Sequence, residues 1–299
     1  MYHYRIYGLN VLSDLKFPQL LTEHDNKQET PLIHVSAIEV PESIKQIAGK
    51  KYEFGSRISW LKNDTTWLVV EDGEKIGYCL TGEGHPSYLQ SYILGYGMSM
   101  LAMQRGMLAV HCSAVADEDG AVLIAGESGS GKSTMTTAFL ENGYRLMADD
   151  MVVVETAKTG QTVAKPAFPY QKLCRNVALE KGFCLDNLIY INEEKDKFLV
   201  HYEGDFRMTE VPVKSFIMLG VVDGETVVTQ EIKGIDRFYI YANNLFLRHL
   251  LQKDKYSPAI GQKCLEMAAV VPTYFIGRPK EGDTTAEVVA KALDLVKTS

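Results

Sequence analysis

Residues 121–142 read AVLIAGESGSGKSTMTTAFLEN, and the order of their parts decides the fold. The apolar run Ala121–Ala125 predicts a buried strand, three glycines follow within six residues, and the amphipathic segment from Lys132 to Asn142 predicts a helix. Gly126 to Ser133 fits the pattern of glycine, four residues, then Gly-Lys-Ser. Glycines at 126, 129 and 131 permit dihedrals that turn successive backbone N–H groups toward one anion, and the helix dipole adds positive potential there. The pattern therefore nominates Gly126, Glu127, Ser128, Gly129, Ser130, Gly131, Lys132, Ser133 and Thr134 as nucleotide-binding residues. Lys132 would reach the β- and γ-phosphates, and the Ser133 hydroxyl would ligate Mg²⁺. A flexible Gly/Ser loop before a chance lysine is the plain alternative; the flanking strand and helix argue against it.

Downstream, the apolar stretch Tyr144–Ala148 predicts a strand that ends in Asp149 and Asp150, seventeen and eighteen residues after Lys132. Carboxylates at the end of a strand beside a phosphate loop can hold Mg²⁺ or accept a proton from an attacking hydroxyl. Spacing alone also allows ordinary turn residues. Upstream, Met107–Ala116 reads as a single strand carrying His111, joined to Ala121–Ala125 by the turn Asp117-Glu118-Asp119-Gly120. A lone histidine on an apolar strand is more often a core residue than a catalytic one.

The rest of the chain bounds the class. It has 299 residues, 46% hydrophobic and 23% charged, the profile of a soluble globular protein with a sizeable core. Its 31 basic and 38 acidic residues give a net charge of −7, so nucleic acid is not an expected partner. Five widely spaced cysteines with no CxxC pair point to a reducing compartment, and the other histidines (3, 24, 34, 85, 201 and 249) form no metal-like cluster in sequence. The most apolar stretch, Tyr92–Met103, is too short to span a bilayer, and the N-terminus lacks a signal-peptide core. A cytoplasmic protein with no membrane partner is expected.

Short alternating runs, Leu32–Ser36, Trp67–Val70 and Lys75–Leu80, predict a β-rich N-terminal region over residues 1–86, with Thr22–Pro31 as a surface loop. A nucleotide-binding domain is expected over 87–299, an α/β core with a mixed sheet. It opens with a helix at Tyr88–Arg105 and continues with strands at Ser215–Val222 and Thr226–Gln230 and helices at Tyr241–Leu251 and Thr285–Lys297.

Residues 111–134, HCSAVADEDGAVLIAGESGSGKST, followed by 143–155, GYRLMADDMVVVE, resemble the catalytic core of bacterial HPr kinase/phosphorylase, which phosphorylates a seryl side chain on a phosphocarrier protein. The resemblance implies a P-loop-containing HPr-kinase-like fold, ATP and Mg²⁺ as cofactors, Asp150, His111 and Lys132 as catalytic residues, and Ser133 and Asp149 at the metal. The family's Glu-Arg-Gly-Leu-Gly segment is absent, residues 164–176 reading AKPAFPYQKLCRN instead. Its Gly-Arg-Asn motif is absent too, the nearest text being Tyr241-Ala242-Asn243-Asn244. Those departures argue against phosphorylase activity and against HPr as the acceptor.

The opening YRIYGLNVLSDLKFPQL (4–20), the Arg105-Gly106 helix end and the closing VPTYFIGRPKEG (271–282) are similar to HPr-kinase-like tailoring kinases of lasso-peptide biosynthesis. That likeness implies, as acceptor, the C-terminal serine of a precursor peptide. HPr itself, free serine, or no acceptor at all, as in a nucleotide-dependent regulatory ATPase, are the alternatives. Lys165, Lys172 and Arg175 are candidate cations for an acidic acceptor terminus or for the nucleotide phosphates, a solvated loop with ordinary basic residues being the plain alternative, and Arg207 and Arg237 are further candidates without a local motif. Kinases of this fold often form homo-oligomers, which makes copies of the chain candidate partners.

Overall fold

The computed structural model describes residues 1–22, 32–47, 50–81, 86–157, 159–191, 196–251 and 257–297. All but the first residue of the predicted surface loop Thr22–Pro31 lies outside them. The chain forms two compact units, Met1–Met107 with Tyr170–His201, and Leu108–Pro169 with Tyr202–Ser299.

In the first unit the alternating runs pair into a sheet ordered Tyr2–Ile6, Leu9–Ser13, Leu32–Ala37, Lys75–Leu80, Thr66–Glu71, Ile58–Lys62, Tyr52–Phe54. Only the two pairings of Leu32–Ala37 within it are parallel. The helix expected at Tyr88–Arg105 runs as Pro86–Tyr92, a π-helical turn at Ile93–Gly97, and Met98–Gln104. It belongs to this unit rather than to the nucleotide-binding part that the sequence places from residue 87. The cause is packing: Gly97 lies against Ile76, and the Gln104 amide donates to Ser59 Oγ and the Val70 carbonyl, both at 3.1 Å. A small sheet of Tyr170–Cys174, Lys197–His201 and Ile189–Ile191, with the helix Arg175–Glu180, completes the unit.

The second unit is built on a mixed sheet whose middle is three parallel strands, Ala121–Gly126, Val211–Val222 and Thr273–Pro279. Beside Ala121–Gly126 lie Ser113–Ala116 and then Arg145–Ala148, both joined antiparallel. On one face Val122, Ile124, Ile217, Leu219 and Ile276 bury against Met135 and Phe139 of the helix Lys132–Glu141 and against Val288, Ala292 and Val296 of the helix Thr285–Lys297. On the other, Tyr241 of the helix Ile235–Asn243 sets its ring 5.1 Å from that of Phe216 and its hydroxyl 2.5 Å from Thr273 Oγ1. Burying each such large side chain contributes about 1.5–3 kcal/mol, so this two-faced core fixes the three parallel strands in register.

Two further expectations are corrected. Met107–Ala116 is not one strand: Leu108–Val110 pairs with Val152–Thr156 and Ser113–Ala116 with Ala121–Gly126, and the chain bends at His111 and Cys112 as it passes from one partner to the other. The helix expected at Tyr241–Leu251 ends at Asn243, because Leu245 leaves it to bridge Val110 and the Phe246 amide donates to the Ala109 carbonyl at 2.9 Å. A helix at Pro258–Val270 was not expected; Ser257 caps it, its hydroxyl accepting from the Ile260 amide at 3.3 Å. Among the described residues no helix is long and apolar enough to cross a membrane. The five cysteines are all unbridged.

Candidate functional site

The strand Ala121–Gly126 ends where its parallel neighbour reaches Leu219, and the chain turns through Glu127–Gly131 directly into the helix Lys132–Glu141. Gly126 has φ +151°, and a Cβ there would collide with Ser130 Oγ and lie 2.6 Å from the Leu219 carbonyl. Gly129 and Gly131 have φ +83° and +104°, values that side chains rarely adopt. Gly131 caps the helix without a side-chain hydrogen bond, and no acidic residue stands in the first turn. A helix N-terminus with neither a side-chain cap nor a first-turn acid suits an anion. Ser133 and Thr134 are exposed in that turn, as are Glu127, Ser128 and Gly129 in the loop. Ser130 Oγ is buried without a hydrogen-bond partner among the described residues. Lys132 Nζ donates to the Gly126 carbonyl and, at 3.5 Å, to that of Glu127, so its ammonium curls over the loop. One glycine where a Cβ cannot fit, two more at positive φ, a helix N-terminus, an orphaned hydroxyl and a cation over the loop together fit a polyphosphate.

The two aspartates follow Ala148, on the strand beyond Ser113–Ala116. Asp149 Oδ1 accepts from Ser113 Oγ at 2.7 Å, and its carbonyl accepts from the Met151 amide at 2.9 Å. Asp150, held between them, has φ +72°. An i to i+2 hydrogen bond around a positive φ is a rare and strained γ-turn. The turn leaves Asp150 Oδ1 3.9 Å from His111 Nδ1, the two side chains 17% and 43% exposed, so the carboxylate is sheltered while the imidazole meets solvent. His111 sits at the bend rather than on a strand; its amide donates to the Asn244 carbonyl at 2.7 Å and its ring lies 5.9 Å from that of Phe246.

Burial is the main cause pushing the Cys112 thiol well above the ordinary range; the charge of Lys132 acts to lower it, and those of Asp150 and Asp149 raise it further. Ala121–Gly126 and Arg145–Ala148 both run antiparallel to Ser113–Ala116 between them, so the glycine loop and the aspartates leave the same edge of the sheet. Among the described residues no three His, Cys, Asp or Glu side chains gather to hold a metal ion by themselves. Ser133 and Asp149 are oxygen donors, the class of ligand that Mg²⁺ takes beside phosphate and water.

Four of the cations singled out for acceptor binding, Lys165, Arg175, Arg207 and Arg237, have carboxylate or carbonyl partners. Lys165 Nζ pairs with Glu155 at 2.9 Å and Glu210 at 3.1 Å. Arg175 forks onto both oxygens of Asp196 and, like Lys172, belongs to the first unit. Arg207 meets Glu118 at 3.5 Å, and Arg237 spans the Ile232 and Ala268 carbonyls at 2.7 and 3.4 Å. Sequence reasoning missed Arg278 as a site residue, though it quoted the segment that carries it: Nη2 donates to the Gly129 carbonyl at 3.0 Å. Ser113 was missed as well, since a serine opening an apolar strand carries no motif.

No protein-family model matches the chain, and no curated protein does. Among solved structures, the HPr(Ser) kinase/phosphatase from Coxiella burnetii is similar at 14% identity, over 64% of this chain and 99% of that one, with a TM-score of 0.29. At that identity and TM-score the likeness transfers no residue role.

Proposed function

We propose that this chain is an ATP-dependent kinase that passes the γ-phosphoryl group to a serine hydroxyl. The observation that carries the reading is the convergence of a polyphosphate-shaped loop, its lysine, and a strained aspartate 3.9 Å from a histidine. Residues Gly126 to Thr134 hold the nucleotide, with Lys132 over its outer phosphates. Ser133 with Asp149 would hold Mg²⁺, which would neutralise charge on the phosphates. Asp150 accepts the proton of the acceptor hydroxyl as its oxygen bonds to the γ-phosphorus and the bond to the departing ADP breaks. His111 orients Asp150 or the transferred group, and Lys132 with the loop amides offsets charge on the equatorial oxygens.

For the acceptor we take the C-terminal serine of a lasso-peptide precursor. The support is the similarity of residues 4–20 and 271–282 to such tailoring kinases, with the missing HPr-family segments weighing against HPr. The test is transfer of labelled γ-phosphate from ATP to a precursor peptide ending in serine, to HPr and to free serine, with wild type beside Asp150→Asn. Label on the peptide, lost in the variant, is expected. Label confined to HPr or serine moves the acceptor to that class, and phosphate release with no labelled acceptor replaces the kinase by a regulatory ATPase.

A further inference from the structure

Ser113 is 2% exposed, opens the strand Ser113–Ala116, and stands opposite Ile124, two residues before Gly126. On its other side that strand pairs with Arg145–Ala148 through a register shift between Leu146 and Ala148, the last residue before the aspartates. A buried hydroxyl needs a partner, and this one donates to Asp149 Oδ1 at 2.7 Å. Asp149 is thereby fixed at both ends: its carboxylate on Ser113, its carbonyl on the Met151 amide at 2.9 Å. Between those anchors Asp150 is held at φ +72°, where an L-residue relaxes unless its surroundings prevent it.

We infer that Ser113 is a positioning residue for the phosphoryl transfer, a splint that holds Asp149 so that the strained turn keeps Asp150 aimed at His111 and the acceptor. The inference rests on the kinase reading for its effect on rate, and on geometry alone for its effect on the turn. It also gives the two aspartates different duties: Asp150 meets the reacting hydroxyl, while one oxygen of Asp149 is spent on the scaffold.

The test compares wild type, Ser113→Ala and Ser113→Thr in the whole chain, with MgATP and the precursor peptide ending in serine. Loss of the splint lowers kcat by on the order of tenfold, the worth of one hydrogen bond to a charged group, and leaves the KM for MgATP within about twofold. Thr, which keeps the hydroxyl, restores most of the rate; a merely structural serine would give no such split and no such rescue. Hydrogen exchange at the Met151 amide, faster in Ala and near wild type in Thr, reads the turn directly. Unchanged kcat in Ser113→Ala, or a loss confined to KM, overturns the inference. Should wild type transfer no label to any acceptor, the kinase reading falls by itself, and the amide exchange still decides the splint: unchanged protection of Met151 in Ser113→Ala overturns it, faster exchange supports it.

Discussion

Arg278 donates from Nη2 to the carbonyl of Gly129 at 3.0 Å across 149 residues of sequence, while its Nη1 holds the Pro279 carbonyl at 3.0 Å. The end of the third parallel strand is thus laced to the glycine loop by a guanidinium. Arg278→Ala should weaken ATP binding about tenfold, and Arg278→Lys should recover only part of it, because an ammonium lacks the planar fork. Isothermal titration with a non-hydrolysable ATP analogue measures both. Equal affinity in Arg278→Ala would leave the contact a purely structural lace.

Asp150→Asn separates chemistry from folding. Asparagine tolerates a positive φ as well as aspartate does, so the turn survives while the proton acceptor is lost. Turnover should fall by on the order of a hundredfold or more, with ATP affinity and melting temperature near wild type. A variant that keeps its turnover would remove Asp150 from the proton transfer.

At Gly126 the obstacle is steric. A Cβ would meet Ser130 Oγ and the backbone carbonyl of Leu219 at 2.6 Å, and the carbonyl belongs to a central strand that cannot yield. Gly126→Ala should cost about 1–3 kcal/mol of stability and displace the loop, lowering ATP affinity as well. Gly129→Ala meets nothing within 4 Å and suffers only the strain of φ +83°, so the melting temperature should fall less there. The reverse order would mean that the loop, not its seat on the strand, sets the energetics.

What the sequence revealed of this arrangement follows the range of the interactions. Ala121–Gly126 and Lys132–Glu141 are legible because an apolar run, glycines and a helical period lie side by side, and Lys75–Leu80 and Thr285–Lys297 form at the bounds their periodicity predicts. The strand Val211–Val222 begins four residues earlier than its apolar run suggests, since Pro212 and Lys214 look like loop residues until the Lys214 ammonium is seen to end on Asp117 at 2.9 Å. Apolar spacing continues past Asn243 and so extends the predicted helix, whereas the bridge from Leu245 to Val110, far away in sequence, ends it. The helix Pro258–Val270 escaped notice although Ser257-Pro258 is a start signal, its buried stripe of Ile260, Cys264, Met267 and Ala268 being modest. In the site the same division holds. The glycine loop with Lys132 follows a local motif, and His111, Asp149 and Asp150 are nominated through the family resemblance, but Ser113, which holds Asp149, and Arg278, which holds the Gly129 carbonyl, act across strands and have no local pattern.

The turn between Ser113–Ala116 and Ala121–Gly126 predicts how acid acts on the fold. Asp117 accepts from Lys214 Nζ at 2.9 Å and from the Asp119 and Gly120 amides at 2.9 Å each. Burial by itself would raise its carboxyl, but the Lys214 hydrogen bond and charge and the two amides outweigh it and hold the carboxyl below the ordinary carboxylate range. Tyr144 faces the same group and stays neutral through the working range, its phenol pushed up to about 12 by burial first and then by the Asp117 charge. A carboxyl depressed in the folded state stabilises it above the unfolded value of about 3.9, and that contribution disappears as pH falls through the folded value. Wild type should therefore melt higher than Asp117→Asn from pH 7 down to about pH 5, and the gap should close below about pH 4. Melting curves of the two proteins across that range measure it; a gap that persists undiminished at pH 3 would show that the ionised carboxylate is not what secures the turn.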